Sequence, residues 1–389
     1  MKQLVNIVRV LVGVLFIFSG LVKANDPLGL SYKMQEFFDL WGMSALNSFT
    51  LVLSILVIAF EIIAGAALLL GWRIKLVIWL LLLLIVFFTL LTGYAYLSGK
   101  FKGCGCFGDC IPITSGTSFL KDIVLLVLIL ILLAYQKYIK PVFAKGITGL
   151  LLAVSIEFSI GTQWYTLKNL PVVDCLPFKI GGNIPELMLM PKDAVPDSTA
   201  IAFVYEKDGK EVEFDVQNFP KDFNEDTYKF IKRYDKVIKP GKNNKPPISG
   251  FQLTDEGGTD IAGTLLQQPG VFVLFMEDAD TPIRAWRNHF DSLCVKASER
   301  FLPVFVVTSR RADVAKVFEN APYKNLIILN GDRTMIRTAA RTNPTLYWLQ
   351  NGVIINKWSS NHIEDAKKIF SQKLDFPIPA HSHADTIVF

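Results

Sequence analysis

Histidine does not occur before His289, and all four histidines (His289, His362, His381 and His383) fall in the C-terminal part. That absence argues against a histidine-ligated haem or metal in the apolar N-terminal part. Charge is thin between residues 4 and 162. No basic stripe with interleaved aromatics runs through the chain despite its net charge of +5, which argues against nucleic-acid binding. Cysteine is scarce as well. There are five, and three of them, Cys104, Cys106 and Cys110, fall within seven residues.

What is abundant is apolar surface, 51% of residues, more than a soluble domain of 389 residues carries. It concentrates in five runs, 4–22, 49–70, 74–97, 119–135 and 143–161, each long enough, with its flanks, to cross a bilayer. The first also has the basic start and the Val22-Lys23-Ala24 segment of a cleaved signal peptide, an alternative to a retained span. Lys2 and Arg9, the 71–75 connection and the 136–146 connection with Lys137, Lys140 and Lys145 share one side, the cytoplasm by the positive-inside rule. The expected location is therefore the inner (cytoplasmic) membrane, multi-pass. The cysteine loop and everything after 161 lie outside, in the periplasm. Glu61 falls mid-span, where a charge is costly. It reads either as a proton- or quinone-facing carboxyl or as a structural one bonded to a neighbouring helix.

Residues 103–112 read Gly-Cys-Gly-Cys-Phe-Gly-Asp-Cys-Ile-Pro. Outside the cytoplasm disulfides persist. Three local thiols cannot all pair, and one disulfide plus one thiol is the minimal unit for internal exchange. Cys104–Cys110 or Cys106–Cys110 would strain the chain less than Cys104–Cys106. Redox exchange and a structural staple both remain open. A metal or cluster site needs a fourth ligand, such as Cys175 or Asp109, that no spacing supports. No metal is expected.

The first span carries Arg9, Gly13, Phe16, Ser19, Gly20 and Lys23, followed by Asp26, Pro27 and Gly29, and the second carries Glu61, Gly65, Leu68, Leu69, Leu70 and Gly71. With the Cys104-Gly-Cys106-Phe-Gly108-Asp109 loop, this resembles the DoxX/MauE group, the MauE branch in particular, over about residues 4–140. The resemblance implies a four-helix membrane bundle tied to periplasmic redox maturation. MauE-like proteins are associated with methylamine utilisation and a disulfide-rich partner enzyme, DoxX-like ones with sulfur-compound oxidation feeding quinone. This chain departs from short members in its fifth apolar run and its long C-terminal part, so methylamine is a doubtful context.

In the C-terminal part, residues 200–215 read as a hairpin about Lys207-Asp208-Gly209-Lys210, and the stretch with Pro240, Gly241, Pro246 and Pro247 reads as a linker. From about Ile248 strands and helices alternate: strands near 270–276, 303–308, 325–329, 345–349 and 353–358, helices near 281–301, 312–320 and 361–372. This resembles a thioredoxin-like domain. Asn343-Pro344-Thr345-Leu346 looks like that fold's cis-proline segment, and Pro247–Leu253 like the opening strand of peroxiredoxin-type relatives. Where the family places Cys-x-x-Cys, this chain has Glu277-Asp278-Ala279-Asp280-Thr281-Pro282. Cys294 lies inside the next helix and reads as a small buried apolar residue. The domain is expected to lack dithiol exchange of its own and to bind a partner polypeptide beside Pro344 or support the membrane part. His381 and His383 read as a solvated tail.

The expected fold class is thus an α-helical membrane bundle, a four-helix DoxX/MauE-like core (1–140) plus a fifth span (141–162), followed by a soluble α/β thioredoxin-like domain. The expected division continues with a hairpin-containing connector (163–245), a degenerate thioredoxin-like domain (246–375) and a tail (376–389). The candidate redox thiols are Cys104, Cys106 and Cys110, with Glu61 as candidate intramembrane carboxyl and Pro344 as candidate partner-binding segment. Membrane quinone is the candidate cofactor, and a periplasmic thiol/disulfide protein the candidate partner beside the lipid bilayer. The alternatives are a non-catalytic assembly or scaffold protein and a transporter using Glu61.

Overall fold

The computed structural model describes residues 1–99, 108–111, 113–216, 218–239, 241, 243–279, 282–319, 321, 323 and 326–371. Five helices among them are long and apolar enough to cross a membrane: α1 (Lys2–Ala24), α3 (Thr50–Leu70), α4 (Ile74–Ser98), α5 (Ser115–Ala134) and α6 (Lys145–Lys168). Between α1 and α3 lies a further helix, α2 (Pro27–Leu40), which the hydropathy pattern does not announce. Asp26 starts it: its side chain accepts the Gly29 amide at 3.0 Å, and Pro27 takes a first-turn position that needs no donor.

Close packing of α1 on α3 depends on glycine. A Cβ on Gly65 would stand 2.8 Å from the Gly13 carbonyl oxygen, backbone against backbone. At the end of the bundle that holds the α3–α4 and α5–α6 connections, Arg9 donates to the carbonyls of Leu68 (2.8 Å), Leu69 and Lys140 (3.2 Å). Leu68 and Leu69 lie in the last turn of α3 and Lys140 in the α5–α6 connection, so a buried cation offsets the negative end of α3 and ties it to the neighbouring connection. At the opposite end the last turn of α1 meets the last turn of α6, where Thr166 Oγ1 donates to the Ala24 carbonyl at 3.0 Å. The short helix α7 (Ile184–Leu187) follows.

A three-stranded antiparallel sheet comes next, order β2-β1-β3, from β1 (Ser198–Lys207), β2 (Lys210–Asp215) and β3 (Lys229–Lys239). The β1–β2 turn is Asp208-Gly209 with both residues at positive φ, the twist a tight hairpin needs. β3, not among the strands that the sequence pattern announces, runs up to the Pro240 stretch read as a linker; its cross-strand partners in β1 hold it in the sheet.

The C-terminal unit is a six-stranded sheet, order β4-β7-β6-β5-β8-β9: β4 (Leu253–Thr254), β5 (Val271–Phe275), β6 (Val304–Thr308), β7 (Leu326–Gly331), β8 (Thr345–Gln350) and β9 (Val353–Ser359). β5, β6 and β7 are parallel, and β8 and β9 add as an antiparallel hairpin. One face is covered by α9 (Arg287–Glu299), α10 (Arg311–Phe318) and the 3-10 segment Ser360–Ser371. The other carries α7, α8 (Ala262–Leu266) and α11 (Arg333–Ala339). This three-layer arrangement, with a cis Asn343–Pro344 bond leading into β8, is the thioredoxin-like fold. Phe178 and Ile184, from the stretch read as connector, belong to its core.

Candidate functional site

Glu61 does not stand alone in the bundle. Lys23 Nζ donates to its Oε1 at 2.5 Å and Ser19 Oγ to its Oε2 at 3.1 Å, with both charged side chains almost fully buried. The structural reading of Glu61, a carboxyl bonded to a neighbouring helix, describes this contact. A lone charge here would cost several kcal/mol, and the pair with its added Ser19 bond offsets part of that cost. The Lys23 ammonium also sits 5.1 Å from the centre of the Phe88 ring. A second carboxylate, Asp122 of α5, accepts from Thr92 Oγ1 at 2.9 Å and pairs with Lys121 at 2.9 Å. Ser19, Lys23, Glu61 and Asp122 line one largely apolar cavity together with Phe16, Ile85 and Phe88. An apolar slot adjoins it, lined by Phe37, Trp41, Phe87 and Phe88, and Lys23 and Thr92 line the slot too.

Above Lys23 lies the described part of the cysteine loop. A Cβ on Gly108 would sit 3.7 Å from the Val22 carbonyl oxygen, and Asn25 Nδ2 lies 3.8 Å from Cys110 Sγ. Cys110 is disulfide-bonded to Cys175, 65 residues away, so the expected pairing of Cys110 within its own loop is corrected. The chain returning from α6 brings Cys175 there: Asn25 holds Val173 through both its backbone groups, at 2.8 and 2.9 Å. Cys175 thereby enters as a sulfur partner rather than a metal ligand. Cys104 and Cys106 lie outside the described residues, as do His381 and His383.

Each disulfide cysteine follows an aspartate, and each aspartate pairs with a cation of the thioredoxin-like unit. Asp109 binds Arg341 at 2.7 Å, and Asp174 binds Lys357. Arg341 also binds Asp26 at 2.8 Å, so one buried guanidinium joins the start of α2, the cysteine turn and the C-terminal unit. Burial opposes the charge on Arg341, but Asp26 and Asp109 more than offset this and hold it above its ordinary value. Burial raises the Asp26 carboxyl, an effect that Arg341 only partly relieves. Burial likewise lowers Lys357, with Asp174 opposing.

Glu277, at the turn after β5 where the resemblance places a cysteine, is the centre of a second cluster. It accepts from Arg337 Nε at 2.7 Å, Arg333 Nη2 at 3.2 Å and the Tyr32 hydroxyl at 3.1 Å. Burial, with Glu277 next, pushes the Tyr32 phenol up, and Arg337 stacks on the Tyr32 ring at 4.3 Å. The Glu277 amide donates to Asn343 Oδ1 at 3.1 Å, tying this turn to the cis-proline segment, and Pro344 itself is buried. The end of the fold beside Glu277 is thus engaged with α2. Cys294 is buried as expected, and burial pushes its thiol up.

The first span and its end offered two cations as partners for Glu61, Arg9 and Lys23, and hydropathy alone does not choose between them. Asp122 stood out as a charge in the fourth span. Cys175, Arg341 and Tyr32 gave no signal, because their partners lie far away in the chain.

Residues 1–135 match the family described as methylamine utilisation protein MauE, about a third of the chain. Residues 199–240, the three-stranded sheet, match a domain of unknown function, DUF8463. Among solved structures, a thioredoxin-like protein from Aeropyrum pernix is similar, with 14% identity, a TM-score of 0.27 and coverage of 31% of this chain and 88% of that one. At that score the likeness carries no argument, and strand order alone supports the fold assignment. No curated protein matches the chain in sequence.

Proposed function

Because residues 1–135 form a MauE-family membrane domain and the chain continues into a thioredoxin-like unit, we propose that it is an inner-membrane component of periplasmic redox maturation. It passes electrons from cysteine thiols to a quinone bound in the bundle. The basic connections at the Arg9 end of the bundle support a cytoplasmic location for that end, and hence a periplasmic cysteine turn.

One observation carries the reading: the Gly108–Cys110 turn rests on Val22–Asn25, directly beside the buried Lys23–Glu61 pair at the head of an aromatic slot. A flat quinone ring fits such a slot, and a carbonyl oxygen directed at Lys23 meets a buried donor. Two loop thiols, Cys104 and Cys106, close to a disulfide and release two electrons and two protons. The quinone takes both and leaves as quinol, with Lys23 and Glu61 holding a proton at the head of the slot.

The test uses the full chain in lipid nanodiscs with a short-tailed quinone and a dithiol reductant, following quinone absorbance. Wild type reduces the quinone, and Cys104→Ser/Cys106→Ser loses at least about a hundredfold in rate. Equal rates would remove the redox reading. A second reading, a non-catalytic assembly protein, is favoured by Glu277 and its cation partners at the position of the missing thiol pair. It predicts that the same double variant complements a deletion strain fully.

A further inference from the structure

The thioredoxin-like unit and the membrane bundle leave a polar cleft between α2 and α11. Tyr32, Gln35, Thr334, Thr338, Asp109 and Cys175 are among its lining residues. Its charged groups are largely matched within the protein: Lys33 with Glu36 at 2.8 Å, Arg337 with Glu277, Arg341 with Asp26 and Asp109. Such a cleft selects neither a strong anion nor a strong cation, and an extended polypeptide backbone can bond to its hydroxyl and amide groups. The two sulfurs of the disulfide are placed differently. Cys175 lines the cleft, whereas Cys110 is backed by the Asn25 side-chain amide on the outer end of α1.

We infer that this cleft is the entry site for a reduced, cysteine-bearing polypeptide, and that its thiolate attacks the sulfur of Cys175. This rests on the redox reading above and adds to it the substrate class and the atom attacked. The partner's thiolate forms a bond to Cys175 Sγ as the Cys110–Cys175 bond breaks. Cys110 leaves as a thiolate, and the Asn25 amide, 3.8 Å from its sulfur, is positioned to stabilise the charge that develops there. A second thiol of the partner then attacks the mixed disulfide and releases Cys175. The partner departs with a disulfide, while Cys110 and Cys175 hold its two electrons and two protons. Exchange with an oxidised Cys104/Cys106 pair, reoxidised in turn by quinone, restores the bridge.

The experiment uses the full chain in nanodiscs, in a Cys104→Ser/Cys106→Ser background. The probe is a terminally blocked peptide with one cysteine, and an alkylating agent captures the thiol released. Acid quenching and mass mapping should find peptide on Cys175 and the alkyl group on Cys110, with the Cys175 adduct in at least about tenfold excess over the reverse. Thr338→Trp, and independently Thr334→Trp, should slow adduct formation about tenfold while non-reducing mapping still finds Cys110–Cys175. Peptide mainly on Cys110, equal adducts, no adduct, or full rate in both tryptophan variants would overturn the proposal. Quinone reduction is measured separately, so its absence with the Cys175 adduct intact counts against the redox reading and not against the cleft.

Discussion

Glu61→Gln keeps the side-chain shape but leaves the Lys23 ammonium buried without its counter-charge. The expected loss is about 3 kcal/mol, seen as a lower melting temperature in detergent. Lys23→Met/Glu61→Gln together should cost less than the sum of the single changes, since the double variant strands no charge. A double-mutant cycle that is additive would mean the two groups do not share a contact. Arg341 has a different role. It bridges two carboxylates from two segments with a planar fork, which the ammonium of lysine cannot span. Arg341→Lys should therefore increase hydrogen exchange over the first turn of α2, where Asp26 caps Gly29, with little change in the strands of the six-stranded sheet.

At the level of elements, α1 and α3 approach through Gly13 and Gly65. Gly65→Val forces the helices apart, because the obstacle is a carbonyl oxygen and not a movable side chain. A loss of about 1–3 kcal/mol is expected, read from thermal unfolding in detergent, with Gly146→Val as a control at an open position. The five long helices were legible because length and apolarity alone specify them. α2 was not: its cap at Asp26 was visible only as a turn motif, and its buried face is completed by α3 through bonds such as Ser31–Thr50 at 2.9 Å. β3 was missed for the same reason. Its charged residues, at 229, 232, 233, 235, 236 and 239, follow no two-residue alternation, and the strand is defined by its pairing with β1.

Across the whole molecule, the contacts that join the two halves were the least legible. Arg341 and Asp26 are 315 residues apart, Tyr32 and Glu277 are 245 apart, and Cys110 and Cys175 are 65 apart. No local periodicity encodes such pairs. The sequence did expose the chemistry that makes them necessary, namely a thioredoxin-like unit with Glu277 in the cysteine position and a crowded cysteine loop. A bridge closing a loop of that length contributes up to about 4 kcal/mol by constraining the unfolded chain. Cys175→Ser should accordingly lower the melting temperature of the full chain. It should also speed proteolysis of the segment between α6 and α7, while the six-stranded sheet, with its own two-sided core, stays resistant.

The two Asp-Cys dipeptides, Asp109-Cys110 and Asp174-Cys175, tie sulfur chemistry to the seating of a whole domain. Thermodynamic reciprocity then applies: whatever factor the closed bridge adds to seating, seating must add to closure. Arg341→Ala, remote from sulfur in sequence, should make Cys110–Cys175 easier to open in a dithiol titration, by at most the factor by which opening it loosens the domain in wild type. The grip on two aspartates is thus also a setting on how readily the bridge gives way.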